Sequence, residues 1–435
     1  MNKKRNVILF GAGAVIDWSG PKTLDLTKTT REGGFLTKSG KTRITEFIYD
    51  KLLKVPGYSK DDINFETIIN VIEELIVYYA NHGLRTKVPA LMKTFFSANF
   101  EEEILNFSIM GGEYYNMYKL HIPGKNDEWA LMNNGEETPE QFFLQQLLAH
   151  LLTDITIEIE HYAYHTASKS NVLIEKNFEI NKLFQDWINL INGGDILRMY
   201  TLNYDRNFKI LLNKSVYKYE VFEGFDCGDV VGYTDKLKPN IRRILEDQNC
   251  HTYYNLHGSI FWRVEALNQY QLELPEYYLA CGAYLEQNTD KFPMFQSEKG
   301  KTVFLTNFIA GYQKTQRTIF SPFRQMQAAF DRDCTFCDKL FIIGYSFGDE
   351  HINSSIRTAL QENKNLKIEI IDPCFKQNEF DLTVMMKIFA ASDRMYTGFP
   401  TNVLENVHGF LNGAVTVHAK TFKQYMIDTL NLNGL

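Results

Sequence analysis

Six short apolar runs constrain the fold of this 435-residue chain more than any other feature. They are VILF (7–10), MYTLNY (199–204), YYNLHG (253–258), KLFIIGYS (339–346), KIEIID (367–372) and AVTVHA (414–419). Most are near-continuous and end in Gly, Asn, Asp or Ser. Alternation would mark strands with one wet face, whereas unbroken runs mark strands covered on both faces, as in a parallel sheet. Amphipathic helical patterns lie between them, HINSSIRTALQEN (351–363) after the fourth run and FDLTVMMKIFAASD (380–393) after the fifth. Strands alternating with helices imply right-handed crossovers. The expected fold is α/β, a Rossmann-like doubly wound parallel sheet of about six strands.

The spacing of the runs is uneven. Nearly 190 residues separate the first from the second, and helical patterns dominate the gap. INFETIINVIEELIVYYANH (63–82) has apolar residues at helical spacing. The stretch 138–167 reads as one long helix, with Thr138 as N-cap and Pro139 near its first turn. The stretch 177–193 reads as another, ending on Gly193–Gly194. The expected organisation is therefore a Rossmann domain of residues 1–34 and 196–435, with 35–195 a mostly helical insertion. A second, irregular region covers 263–325.

Charge and cysteine content exclude several function classes. The net charge is −7 and no basic block extends beyond KKR at 3–5, so there is no broad phosphate-binding face and direct nucleic-acid binding is not expected. The apolar run after MNKKR is too short for a secretory signal, and no segment approaches a membrane span. The six cysteines, Cys227, Cys250, Cys281, Cys334, Cys337 and Cys374, are too sparse for a disulfide framework, so a reduced, cytoplasmic protein is expected. His161 and His165 stand four apart, but with no HExxH pattern or third ligand they read as a solvated helix face.

Ligands of open α/β sheets bind beyond the carboxyl ends of the strands. The first run ends in Gly11–Ala12–Gly13–Ala14. These small residues fit a loop against a pyrophosphate, and equally a tight turn, because Ile16 stands where G-x-G-x-x-G has its third glycine. The second run ends in Asn203–Tyr204–Asp205. Asp205 fits an Asx turn or helix cap, whereas Asn203 sits within the apolar run and needs a partner. The third ends in His257–Gly258–Ser259, where glycine leaves space beside the imidazole. The fourth ends in Gly344–Tyr345–Ser346–Phe347–Gly348–Asp349. Gly344 and Ser346 suit phosphate oxygens, and Asp349 a cap or a ribose. The fifth ends in Asp372–Pro373, where Asp372 suits either an adenosine ribose or a turn.

The order GAGA, TLNYD, LHGS, IIGYSFGDEHIN resembles the sirtuin family, and most closely the bacterial sirtuin-like NAD hydrolases of anti-phage defence. The resemblance implies NAD as substrate. By position it implies that Gly11, Ala12, Gly13 and Ala14 line the pyrophosphate, and that Asn203 orients ribose and water with Asp205 beside it. It further implies that His257 is catalytic, that Gly344 and Ser346 contact phosphate, and that Asp372 contacts a ribose. Two departures matter. Deacylating sirtuins hold zinc with two Cys-x-x-Cys pairs, whereas this chain has one pair, Cys334 and Cys337, and a lone Cys281; no zinc is expected. The Pro-Asp-Phe-Arg run that follows the sirtuin glycine loop is also missing, since Lys22 follows Gly20–Pro21. Both argue against protein deacylation.

The expected reaction is hydrolysis of the nicotinamide–ribose bond, with His257 as general base. The resemblance adds NAD depletion in anti-phage defence. It also adds control by a homo-oligomer or by a partner such as a HerA-type hexameric ATPase. ADP-ribosyl transfer, deacylation and a non-catalytic nucleotide-sensing module are the alternatives.

Overall fold

The computed structural model describes residues 4–79, 88, 91–114, 117–124, 128–131, 138–163, 172, 174–212, 220–226, 236–265, 276–280, 294–298, 301–311, 314–375, 401–404 and 406–432. The helical pattern at 380–393, His165 and Cys281 lie outside the described residues. By its internal contacts the chain divides into two units. The first is Met1–Lys22, Ile159–Tyr284 and Thr318–Leu435; the second is Thr23–Glu158 and Leu285–Arg317.

The first unit is built on a nine-stranded sheet. Its strands are β1 (Arg5–Phe10), β2 (Ile196–Thr201), β3 (Val221–Phe222), β4 (His251–Asn255), β5 (Lys339–Ile343), β6 (Lys367–Ile371), β7 (Thr401–Leu404), β8 (Val407–Phe410) and β9 (Val415–His418). The order across the sheet is β7-β8-β9-β6-β5-β1-β2-β4-β3. All neighbours from β3 to β9 are parallel, and β8 and β7 add an antiparallel edge. All six apolar runs are strands of this sheet. Most of their polar ends fall just outside the ladders, in the loops, while Asn255 and His418 are the last paired residues of their strands.

Helices cover both faces, as the unbroken apolar pattern requires. On one face Ile8 and Phe10 of β1 join Leu197 and Met199 of β2 in a core with Trp18, Phe184, Trp187, Phe208 and Phe422. Phe10 stacks on Phe208 at 3.9 Å between centroids, and Trp187 meets Phe422 edge-on at 5.1 Å. Each such side chain contributes about 1.5–3 kcal/mol by leaving water. The helix Phe178–Asn192, which the sequence places in the insertion, belongs to this core through Phe184 and Trp187. On the opposite face, Arg198 and Tyr200 reach Asp333 of the helix Phe323–Phe336, each at 2.5 Å. That buried carboxylate is neutralised by Arg198 and, on its other oxygen, by Arg332 at 3.0 Å and Arg5 at 3.4 Å, with the Tyr200 hydroxyl adding a hydrogen bond.

The second unit holds the helices Thr23–Glu32, Ile44–Leu52, Phe65–Tyr78 and Ala98–Ile104 and most of Pro139–Ala163. Asn64 closes a capping box on Phe65–Tyr78, and the Thr138 hydroxyl accepts from the Gln141 amide at 3.1 Å. It also contains a three-stranded antiparallel sheet of Ser108–Tyr114, Met117–His121 and Glu128–Leu131. Glycines and charges interrupt those segments, so they carry no strand signal in the sequence. Among the described residues no helix is long and apolar enough to cross a membrane.

Candidate functional site

Five parallel strands end in a level row. Phe10 is in register with Ile343 on one side and Thr201 on the other; Thr201 is opposite Asn255 and Ile343 opposite Ile371. Each following residue takes one more ladder bond. Gly11 donates to Ile343, Leu202 to Phe10, Leu256 to Thr201 and Gly344 to Ile371, all at 2.8–2.9 Å. From β1 the chain builds one way through β2 and β4, and the other way through β5 and β6. The switch point where ligands enter such sheets therefore lies between β1 and β5, where Gly11–Ala14 meets Gly344.

At that point the backbones touch. The Gly13 amide donates to the Gly344 carbonyl at 2.8 Å. A Cβ on Gly11 would stand 2.5 Å from the Gly344 oxygen, and one on Gly13 would stand 2.8 Å from the Gly344 Cα. The glycines are thus required by each other. The loop continues into a 3-10 helix, Ala12–Trp18. Ala12 is exposed, Gly13 half-buried, and Ala14 is buried in the core with its amide bonded to the Gly11 carbonyl at 3.0 Å.

Asn203 is 8 % exposed. Its side-chain Nδ2 donates to the Gly11 carbonyl at 3.1 Å, tying the β2 loop to the glycine loop. Asn255 fixes the same loop from the other side: its Nδ2 donates to the Asn203 and Asp205 carbonyls at 3.1 and 3.0 Å. The sequence reading gave Asn255 no role, although it is the last residue of an apolar strand, as Asn203 nearly is.

Asp205 is buried and accepts the Asn207 amide at 2.7 Å, an Asx turn that opens the helix Asn207–Leu212. Burial pushes its carboxyl up to about 6 from 3.8. Between those values the folded chain holds a proton that the unfolded chain has lost, so stability falls as pH rises from about 4 to 6. The difference amounts to roughly 3 kcal/mol, fully incurred above pH 6. Asp205→Asn keeps the acceptor and removes the charge. It should be at least as stable as wild type at pH 7.5, with a flatter dependence of melting temperature on pH between 4 and 6. A variant less stable than wild type at pH 7.5 would show that the carboxylate is compensated.

His257, 1 % exposed, follows β4 in a turn completed by Gly258 at a φ of 77°. Ser259 anchors the turn through its hydroxyl, which donates to the Tyr204 carbonyl at 2.9 Å. The His257 Nε2 lies 3.3 Å from the Nε2 of His351. His351 sits in the first turn of the helix Glu350–Glu362, immediately after the β5 loop. Asp349 occupies the N-cap position without a side-chain cap bond. Its carboxylate instead lies with the two imidazoles, the three ligand atoms all within 4.8 Å of one another. Neither His351 nor this placement of Asp349 was expected. The signal was present in GYSFGDEHIN, where a carboxylate and an imidazole stand two apart at a strand-to-helix turn.

The β5 loop is held by its own side chains. Phe347 is buried with a φ of 59°, a conformation that bulky residues rarely adopt. Asn353 donates to its carbonyl at 2.9 Å, and the Tyr345 hydroxyl donates to Asn353 Oδ1 at 3.0 Å. Ser346 is exposed beside it. Asp372 accepts the Cys374 amide at 2.8 Å, which makes the turn before the 3-10 helix Pro373–Phe375, and burial raises its carboxyl above the ordinary range. Cys334 and Cys337 are buried, with the Cys337 thiol donating to the Cys334 carbonyl at 3.2 Å.

The row of strand ends from β2 to β6 coincides with a known domain. Residues 198–382 match the SIR2-like domain. The SIR2-like match takes in Asn203, Asp205, His257, Gly344, Ser346 and Asp372, and it leaves out β1 with its glycine loop. It supports a Sir2-like family and, at that level, NAD-related chemistry. No curated protein matches the chain.

Proposed function

We propose that this chain is an NAD hydrolase, converting NAD and water to nicotinamide, ADP-ribose and a proton. The observation that carries the reading is His257. It is a buried imidazole at a strand end, one strand from Asn203, inside the stretch that matches the SIR2-like domain. The leaving group is a cationic pyridinium, so bond breaking yields neutral nicotinamide and an oxocarbenium-like ribose. His257 accepts the proton of a ribose hydroxyl or of the attacking water. Asn203, fixed against Gly11, orients the ribose or that water. The β1 and β5 loops, with Ser346 exposed, receive the pyrophosphate, and Asp372 faces the adenosine ribose. Depletion of NAD in anti-phage defence extends this reading. So does its control by self-assembly or by a HerA-type hexameric ATPase; both follow from the family resemblance.

The test is to incubate the purified chain with NAD, alone and with a candidate partner, and to quantify nicotinamide. Asn203→Ala should lower turnover by about 10²-fold or more, because the reacting groups lose their alignment. The Gly11 carbonyl keeps the Ala14 amide in that variant, so circular dichroism should match wild type. Wild-type chain that binds NAD and releases no nicotinamide under any of these conditions would instead indicate a sensing module.

A further inference from the structure

His257 and His351 reach each other from strands that are not neighbours. In the sheet order β5-β1-β2-β4, two strands separate the elements that carry them. At about 4.8 Å per strand the gap is roughly 14 Å, yet the loops close it to 3.3 Å between the Nε2 atoms. That distance has two chemical meanings. One ring can donate to the other, or both can direct lone pairs at a single cation. Two nitrogens bound tetrahedrally to zinc at about 2.0–2.1 Å stand roughly 3.3–3.4 Å apart. The Asp349 carboxylate lies within 4.8 Å of both, and its backbone is fixed by the Tyr345 hydroxyl, 3.0 Å from both its amide and its carbonyl oxygen.

Two imidazoles and one carboxylate are the donor set of open zinc sites, which keep a fourth position for water. Calcium and magnesium take mainly oxygen ligands, so this set selects against them and suits zinc, cobalt or nickel. The expectation of no zinc rested on cysteine spacing and does not bear on these donors. We propose that His257, His351 and Asp349 form a binding site for a zinc-class divalent cation that holds the site inactive. A lone pair given to the cation cannot accept a proton, so occupancy withdraws His257 from catalysis. The inhibitory consequence rests on the reading of His257 as the base; the site itself does not.

The purified 435-residue chain, stripped with a chelator and titrated with cobalt(II), should bind one equivalent. The visible absorption should be that of tetrahedral coordination, without the near-ultraviolet charge transfer of thiolate ligands. His351→Gln and Asp349→Asn, checked for folding by circular dichroism, should each weaken binding by about a hundredfold or more. Zinc should displace cobalt, and nicotinamide release by the wild type should fall in step with occupancy and return on chelation. Unchanged cobalt affinity in both folded variants, or a thiolate spectrum, overturns the site. Turnover that holds or rises with the site filled overturns the inhibition. A chain that binds cobalt through these residues but never cleaves NAD keeps the site and rejects the proposed hydrolysis instead.

Discussion

Replacing His257 with alanine is expected to reduce nicotinamide release by about 10²–10⁴-fold, the usual contribution of a positioned general acid–base group. The loss should fall mainly on kcat, because the NAD contacts proposed for the β1 and β5 loops do not involve the imidazole. The fold should survive. The His257 turn is held by backbone and hydroxyl bonds, from Gly258 to Asn255 at 3.3 Å and from Ser259 to Tyr204 at 2.9 Å, none of which involves the imidazole. Truncation deprives His351 of this contact, a cost of about 1–3 kcal/mol, which circular dichroism and a melting curve would register as a shift rather than as unfolding. A folded His257→Ala that turns over NAD at nearly the wild-type rate removes His257 from the chemistry. It would also move the search to the other groups of the same row.

How much of this the sequence discloses follows from what each residue answers to. The six strands formed by the apolar runs are legible because a strand covered on both faces must be largely apolar, and that pattern needs no knowledge of the partner. β3 is two residues long, and β7 and β8 form an antiparallel edge, so neither writes an unbroken run. The helix Phe178–Asn192 is legible as a helix. Its membership of the sheet's core is not, because Phe184 and Trp187 declare an apolar face without naming what covers it. Among site residues, Asn203 is legible as a polar side chain inside an apolar run. Asp205 and Asp372 each make a turn with one carboxylate oxygen, and a carboxylate before a turn reads the same in the sequence whether or not it also meets a ligand. The meeting of His257 with His351 is invisible in the chain order. It depends on two loops reaching across the ends of β1 and β2, and no local pattern encodes that distance.

Gly344→Ala is expected to have the largest structural effect of any single methyl group near the site. Its φ of 63° already costs an L-residue about 1 kcal/mol. The added Cβ would stand 2.1 Å from the Ala14 nitrogen and 2.3 Å from the Gly13 carbonyl carbon. Both are backbone atoms, with no rotamer to swing away. Relief requires the β1 and β5 loops to part, which strains the bonds Gly11 to Ile343, Gly13 to Gly344 and Gly344 to Ile371. With about 1 kcal/mol for each bond, the total is about 4 kcal/mol, in the range where single substitutions unfold domains. Gly413→Ala is the matched control. Its φ is 79°, but nothing lies within 4 Å of the added Cβ, so only the conformational cost of about 1 kcal/mol applies. Thermal unfolding of the two variants separates the effects, and equal melting temperatures would mean that the loops do not touch. The comparison also bears on how the glycine loop is read. If Gly344→Ala unfolds the chain, then Gly11, Gly13 and Gly344 are glycines first because two backbones cross at the switch point. On the proposed reading, NAD would then meet a crevice whose floor is already set by that crossing, and the loop would need no third glycine where Ile16 stands.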